Sequence, residues 1–109
     1  MNRLKDKVAI VTGAAVGIGR ATSLLLAKEG AKMALTDIRD EDGKELAGEI
    51  TGANGVADYW HLDVASESGV KTVFAGIRER FGRIDVLVNN AGIAGVGKPT
   101  DEITQEEWD

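Results

Sequence analysis

Gly13, Gly17 and Gly19 lie within the stretch TGAAVGIGRA, spaced G-x-x-x-G-x-G, between an apolar run and a helical pattern. The dinucleotide fingerprint is G-x-G-x-x-G, so the match is not literal. The physical work is the same. Gly13 permits a tight turn off a strand, Gly17 lets backbone approach a pyrophosphate, and Gly19 lets the helix pack close to the sheet. The helix N-terminus then offers free N–H groups and a partial positive charge to phosphates. A purely structural strand-to-helix turn is the competing reading, and three glycines within seven residues weigh against it. Asp37 follows 18 residues after Gly19, at the end of a second strand-like run. Alone it would read as a capping or surface aspartate. Joined to the glycine turn, it is a carboxylate placed to accept hydrogen bonds from an adenosine ribose.

Three other fragments suggest chemistry and fall short. Gly92 to Pro99 nearly spells the phosphate loop G-x-x-x-x-G-K-[ST], but Pro99 has neither the hydroxyl for Mg²⁺ nor an N–H for phosphate. Asp40, Asp42, Gly43 and Glu49 fit four positions of a calcium loop, yet Ile38 holds the first ligand position and a strand precedes it. His61, the one histidine, has no cysteine and no second histidine to share a metal with. No metal site is expected.

These residues need elements to hold them. Val8 to Val11 is short and wholly apolar, as in a strand buried on both faces. A helix is predicted over Ile18 to Glu29, closed by Gly30. Lys32 to Thr36 reads as a second strand and Asp40 to Ile50 as a weaker helix, with Leu46, Ala47 and Ile50 on one face and glycines at 43 and 48 against it. Val56 to Leu62 reads as a third strand. Ser66 can cap a helix whose Val70, Val73, Phe74, Ile77 and Phe81 form one core-facing stripe, ended by Gly82. Ile84 to Val88 is a fourth, apolar strand. Asn89 to Asp101 reads as loop. Thr104 and Glu107 then form a capping box, and Ile103 and Trp108 a hydrophobic staple, so a further helix begins. Strands alternating with helices predict an α/β architecture, a parallel sheet with helices on both faces.

Composition narrows the field. The 109 residues allow one small domain, 43% hydrophobic, and no apolar run approaches the ~20 residues of a membrane span. The polar start, Met1 to Lys7, is not a signal peptide. No cysteine is present, which excludes a disulfide scaffold and thiol chemistry and fits the cytoplasm. A net charge of −5 without a basic stripe argues against nucleic acid as a partner.

The three motifs TGAAVGIG, LDV (Leu62, Asp63, Val64) and NNAG (Asn89 to Gly92), in this order and at these intervals, resemble the N-terminal part of the short-chain dehydrogenase/reductase family. The resemblance runs over the whole chain. It implies a Rossmann-type doubly wound parallel sheet, about half of the full domain, with strand order 3-2-1-4 and a ligand crevice between strands one and four. It also implies that Gly13, Gly17, Ile18 and Gly19 hold the pyrophosphate of a dinucleotide. Asp37 would bind the adenosine ribose, and Asp63 and Val64 would flank the adenine. Asn90, Ala91 and Gly92 would run beside the cofactor, while Asn89 braces the central strands.

The implied activity is reversible hydride transfer between NAD and a secondary alcohol or ketone, and a homo-oligomer is implied for the full-length enzyme. NAD is expected over NADP, because the Asp37 carboxylate stands where a 2′-phosphate would sit. Arg39 is the counter-argument. Family catalysis depends on a Tyr-x-x-x-Lys pair with a Ser and an Asn nearby. Here the one tyrosine is Tyr59, and the residue four on is Asp63. The expectation is therefore that residues 1–109 form the dinucleotide-binding front part of a longer enzyme, with the catalytic residues downstream of Asp109. Two other readings stay open: a stand-alone dinucleotide-binding module without chemistry, and a nucleotide hydrolase built on the loop-like Gly92 segment.

Overall fold

The computed structural model describes residues 3–90. Ala91 and Gly92, the phosphate-loop-like segment to Pro99, and the helix start at Ile103, Thr104, Glu107 and Trp108 lie outside the described residues. The elements alternate without exception: β1 (Val8–Thr12), α1 (Gly17–Lys28), β2 (Lys32–Asp37), α2 (Asp40–Gly52), β3 (Val56–His61), α3 (Glu67–Phe81) and β4 (Val86–Asn89).

The four strands form one parallel sheet in the order β3-β2-β1-β4. This is the half Rossmann sheet that the motifs imply. The chain moves outward from β1 through β2 to β3, then returns past β1 to place β4 on its other side. The order therefore reverses between β1 and β4, where open α/β sheets bind ligands. Parallel pairing also brings the ends Thr12, Asp37, His61 and Asn89 to one edge of the sheet.

Strand alternation distributes the core over two faces. Ala9, Val11, Met33, Leu35, Ala57 and Val88 point to one side, where Leu46 and Ile50 of α2 and Leu24, Leu26 and Ala27 of α1 cover them. Val8, Ile10, Ala34 and Leu87 point to the other, where α3 contributes Ile77 with Val73, Phe74 and Phe81. All five residues of β1 are buried, as expected for a strand covered on both sides. The α3 stripe is less complete than its periodicity suggests: Ile77 is buried, while Val70, Val73, Phe74 and Phe81 are half-buried.

Element boundaries shift slightly from the sequence reading. Helix α1 begins at Gly17, because extended Val16 takes the cap position. Helix α2 runs on to Gly52. Strand β3 stops at His61, and the Leu62 N–H donates to the Asp37 carbonyl beyond the ladder, at 2.9 Å.

Candidate functional site

The glycine turn joins β1 to α1. Gly13 and Gly17 adopt φ of +63° and +58°, a left-handed conformation that costs ordinary L-residues ~1–2 kcal/mol. At Gly17 an added Cβ would meet nothing within 4 Å, so the space in front of the turn is open. At Gly19 an added Cβ would stand 2.0 Å from the Gly13 carbonyl oxygen. The sequence reading gave Gly19 the task of bringing the helix onto the sheet. Its closest neighbour is the Gly13 carbonyl, so the missing side chain lets the first coil of α1 close on the turn.

The start of α1 is electrostatically open. Val16 makes no side-chain cap bond, and the first turn carries no acidic residue. The free N–H groups at this end are thus not compensated from within the helix. A helix end of this kind, with Gly17 leaving room before it, is suited to a phosphate.

Strand β4 holds the turn from behind. Thr12 Oγ1 donates to Asn89 Oδ1 at 3.1 Å, so Asn89 ties β1 to β4 as expected. The Asn90 N–H donates to Thr12 Oγ1 at 2.9 Å, and Asn90 Nδ2 donates to the Gly13 carbonyl at 3.1 Å. Asn90 was expected to run beside a cofactor. Its side chain braces the glycine turn. The two expected neighbours Ala91 and Gly92 lie outside the described residues.

Asp37 meets the same turn from the β2 side. It is 8% exposed, and its Oδ2 accepts from the Ala15 N–H at 2.9 Å. Its Oδ1 accepts from the Ile38 and Arg39 N–H groups at 2.7 and 3.0 Å. The Ala14 N–H donates to the Thr36 carbonyl at 3.0 Å, a second tie between turn and strand. A carboxylate has about four acceptor sites. Three are taken by backbone, which fixes the carboxylate against the turn and leaves Oδ2 room for one more donor. The glycine turn and Asp37 are therefore joined by a direct hydrogen bond, made by Ala15.

The Leu62–Val64 segment lies next to Asp37 through the Leu62 hydrogen bond to the Asp37 carbonyl. Asp63 is exposed, and its Oδ1 accepts from the Ala65 N–H at 2.9 Å; Val64 is half-buried. Two features here escaped the sequence reading. Ile18 and Ile38 are 70% and 61% exposed, so apolar side chains face solvent at the start of α1 and just after β2. Tyr59 Oη lies 2.7 Å from the Asp37 carbonyl and 2.6 Å from Asp40 Oδ1, and His61 Nδ1 lies 2.8 Å from that same Asp40 oxygen. The usable signal was period-two alternation: Ala57, Tyr59 and His61 share the β3 face that α2 covers.

A groove of about 680 Å³ lies at the opposite end of the sheet, bordered by Lys5, Leu24, Lys28, Lys32, Ile50 and Val56. It shares no residue with the glycine turn. Among the described residues, no group of His, Cys, Asp and Glu side chains is arranged to hold a metal ion. No helix among them is long and apolar enough to cross a membrane.

The family model described as short chain dehydrogenase matches residues 7–109. A 3beta-hydroxysteroid dehydrogenase of Mediterraneibacter gnavus is 39% identical over 108 residues, covering 99% of this chain and 39% of that protein. A cyclopentanol dehydrogenase of a Comamonas species is 42% identical over 109 residues, covering 100% of this chain and 43% of that protein. The crystal structure of an NAD⁺-bound xylitol dehydrogenase superposes with a TM-score of 0.81 at 38% identity, covering 85% of this chain and 36% of that one. The chain thus spans about two fifths of the length of these curated relatives.

Proposed function

The chain belongs to the short chain dehydrogenase family, and from that premise we propose that it is the coenzyme-binding part of an NAD(H)-dependent oxidoreductase interconverting a secondary alcohol and a ketone. The observation that carries this reading is the bond from the Ala15 N–H to Asp37 Oδ2, 2.9 Å. It places a carboxylate beside an uncapped helix N-terminus. One anionic partner and one cationic end, side by side, suit the ribose and the pyrophosphate of a dinucleotide.

The residues present fit such a group. Gly13, Gly17, Ile18 and Gly19 would bind the pyrophosphate through backbone N–H groups, and Asp37 would accept from a ribose hydroxyl through the free site on Oδ2. Asp63 and Val64 would lie along the adenine, and Asn90, Ala91 and Gly92 along the inner edge of the crevice. When bound, the nicotinamide supplies the hydride acceptor or donor. The negative charge of Asp37 disfavours a 2′-phosphate, which supports NAD over NADP. The relatives named as alcohol and hydroxysteroid dehydrogenases support the substrate class.

The acid/base group is proposed to lie downstream of Asp109. Tyr59, the one tyrosine, is otherwise engaged: its hydroxyl is bonded to Asp37 and Asp40. Burial, and next the Asp40 carboxylate, push this phenol well above its ordinary range. That is the wrong direction for proton transfer near neutral pH. Asp63, four residues on, offers no positive charge to bring it down.

Dinucleotide titration of the intact protein, followed by NADH fluorescence, tests the reading. NAD(H) should bind at least tenfold more tightly than NADP(H), a difference of ~1.4 kcal/mol. Asp37→Ser should erase most of that ratio. Tighter binding of ATP with Mg²⁺ than of either dinucleotide would overturn the proposal, as would an unchanged ratio in the variant.

A further inference from the structure

Asp37 owes its position to more than its own strand. Its carbonyl accepts both the Leu62 N–H at 2.9 Å and the Tyr59 hydroxyl at 2.7 Å. The same hydroxyl lies 2.6 Å from Asp40 Oδ1, in the first turn of α2. Tyr59 therefore spans the corner in which β2 ends and α2 begins. One phenolic hydroxyl, with a single proton to share, lies within hydrogen-bond distance of both ends of the four-residue path Asp37, Ile38, Arg39, Asp40.

The ring reaches this place because α2 has a glycine above it. An added Cβ at Gly43 would lie 2.1 Å from the Tyr59 Cε1 atom and 2.3 Å from Cδ1. Glycine weakens a helix by about 1 kcal/mol relative to alanine. Here it admits an aromatic ring that nothing larger would allow. His61 Nδ1 lies 2.8 Å from the same Asp40 oxygen, so two β3 side chains meet the Asp40 carboxylate.

We propose that Tyr59, seated by Gly43 and paired with Asp40, is a positioning residue that fixes the Asp37 carboxylate and thereby sets discrimination against a 2′-phosphorylated coenzyme. The proposal rests on the coenzyme reading above and adds to it the device that enforces the choice. Tyr59 touches no coenzyme. It acts through the Asp37 carbonyl and through the Ile38 and Arg39 N–H groups that Asp37 Oδ1 holds. Free of that clamp, the corner can turn, the carboxylate loses its aim, and Arg39 becomes able to meet a phosphate. High above its ordinary range, the phenol keeps its proton and remains a donor.

Two variants test it in the intact protein. Tyr59→Phe removes the hydroxyl and keeps the ring, while Gly43→Ala keeps the hydroxyl and displaces the ring. Each should lower the ratio of NADP to NAD dissociation constants by threefold or more, chiefly by weakening NAD. In the coenzyme-free protein, each should also speed hydrogen exchange at the Ile38 and Arg39 amides, by a similar factor or more. Ile77→Val, buried on the opposite face of the sheet, should lower Tm and leave both quantities unchanged. If the wild type binds NAD and both variants keep its ratio and its exchange rates, the proposal is overturned and the coenzyme reading stands. If the wild type binds neither dinucleotide, both fall.

Discussion

The turns into α1 and α3 carry parallel strands into crossover helices at the same end of the sheet, yet they treat the helix N-terminus in opposite ways. At α3, Ser66 Oγ accepts from the Gly69 N–H at 3.1 Å, and Glu67 places a negative charge in the first turn. Asp63 Oδ1 takes the Ala65 N–H, and the Asp63 carbonyl takes the Ser66 N–H. That end is satisfied from within. At α1 no side chain caps, no acid stands in the first turn, and two glycines are held at positive φ. A cap alone contributes ~1 kcal/mol. The α1 start forgoes it and retains its positive end. Helix α2 follows the pattern of α3 in charge, with Asp40, Glu41 and Asp42 in its first turn. The contrast supports the proposal that the charge of α1 is kept for a ligand.

The largest expected effect comes from crowding the close approach between Gly19 and the turn. In Gly19→Ala the new methyl would lie 2.0 Å from a backbone oxygen and 2.7 Å from Asn90 Nδ2. Backbone cannot step aside as a flexible side chain can, and overpacking of this kind costs ~1–3 kcal/mol or more. The turn should open and the Asn90 brace should be lost. NADH affinity should fall roughly a hundredfold, about 2.7 kcal/mol. Retained affinity would mean that the turn does not hold the dinucleotide.

A second change makes α1 resemble α3 in charge. Ile18 is 70% exposed, so Ile18→Glu adds an acid to the first turn without disturbing the core. The helix dipole should then stabilise the protein by ~0.3–1 kcal/mol. A pyrophosphate a few ångströms away should be repelled by ~1–3 kcal/mol at intermediate screening, roughly five- to hundredfold in affinity. Stability and binding should thus move in opposite directions, read by thermal melts without coenzyme and by NADH titration. A substitution that lowers both, or neither, would remove the special status of the α1 end.

What was legible in the sequence follows the same division. β1, with five consecutive buried residues, and the glycine turn after it were readable because burial on both faces and positive φ each demand particular residue types. The order of the strands followed from alternation and from the motifs. Strand β3 was harder. Its Asp58, Tyr59, Trp60 and His61 do not look like a central strand, because β3 is the edge of the described sheet: Asp58, Tyr59 and His61 reach polar groups on α3 and α2, and Tyr59 and Trp60 are only partly buried against the core. Gly43 looked like a weakness in α2, since propensity says nothing about the ring that needs its missing Cβ. Asn90 was assigned to the crevice because the motif sits there. Its amide turns to the Gly13 carbonyl, a contact that the motif alone does not reveal. The spacing between Gly19 and Asp37 was readable. That Asp37 is bound to the turn by Ala15 was not, because a backbone donor leaves no trace in residue identity.

The smallest effect is the most discriminating for the contrast between the turns. Ser66→Ala removes the α3 cap and leaves the Gly69 N–H without its side-chain acceptor. The cost should be ~1 kcal/mol, within the usual range for a lost serine cap. Tm should fall by roughly 2–8 °C, by less the larger the cooperative unit. No described bond joins Ser66 to Gly13, Gly17 or Asp37. NADH affinity should therefore stay within about twofold of the wild type once the folded fraction is accounted for. If it falls in proportion to stability, the two helix ends are coupled through the sheet. The α1 end could not then be regarded as the one reserved for a ligand, because disturbing a satisfied end would have weakened binding as much as disturbing the open one.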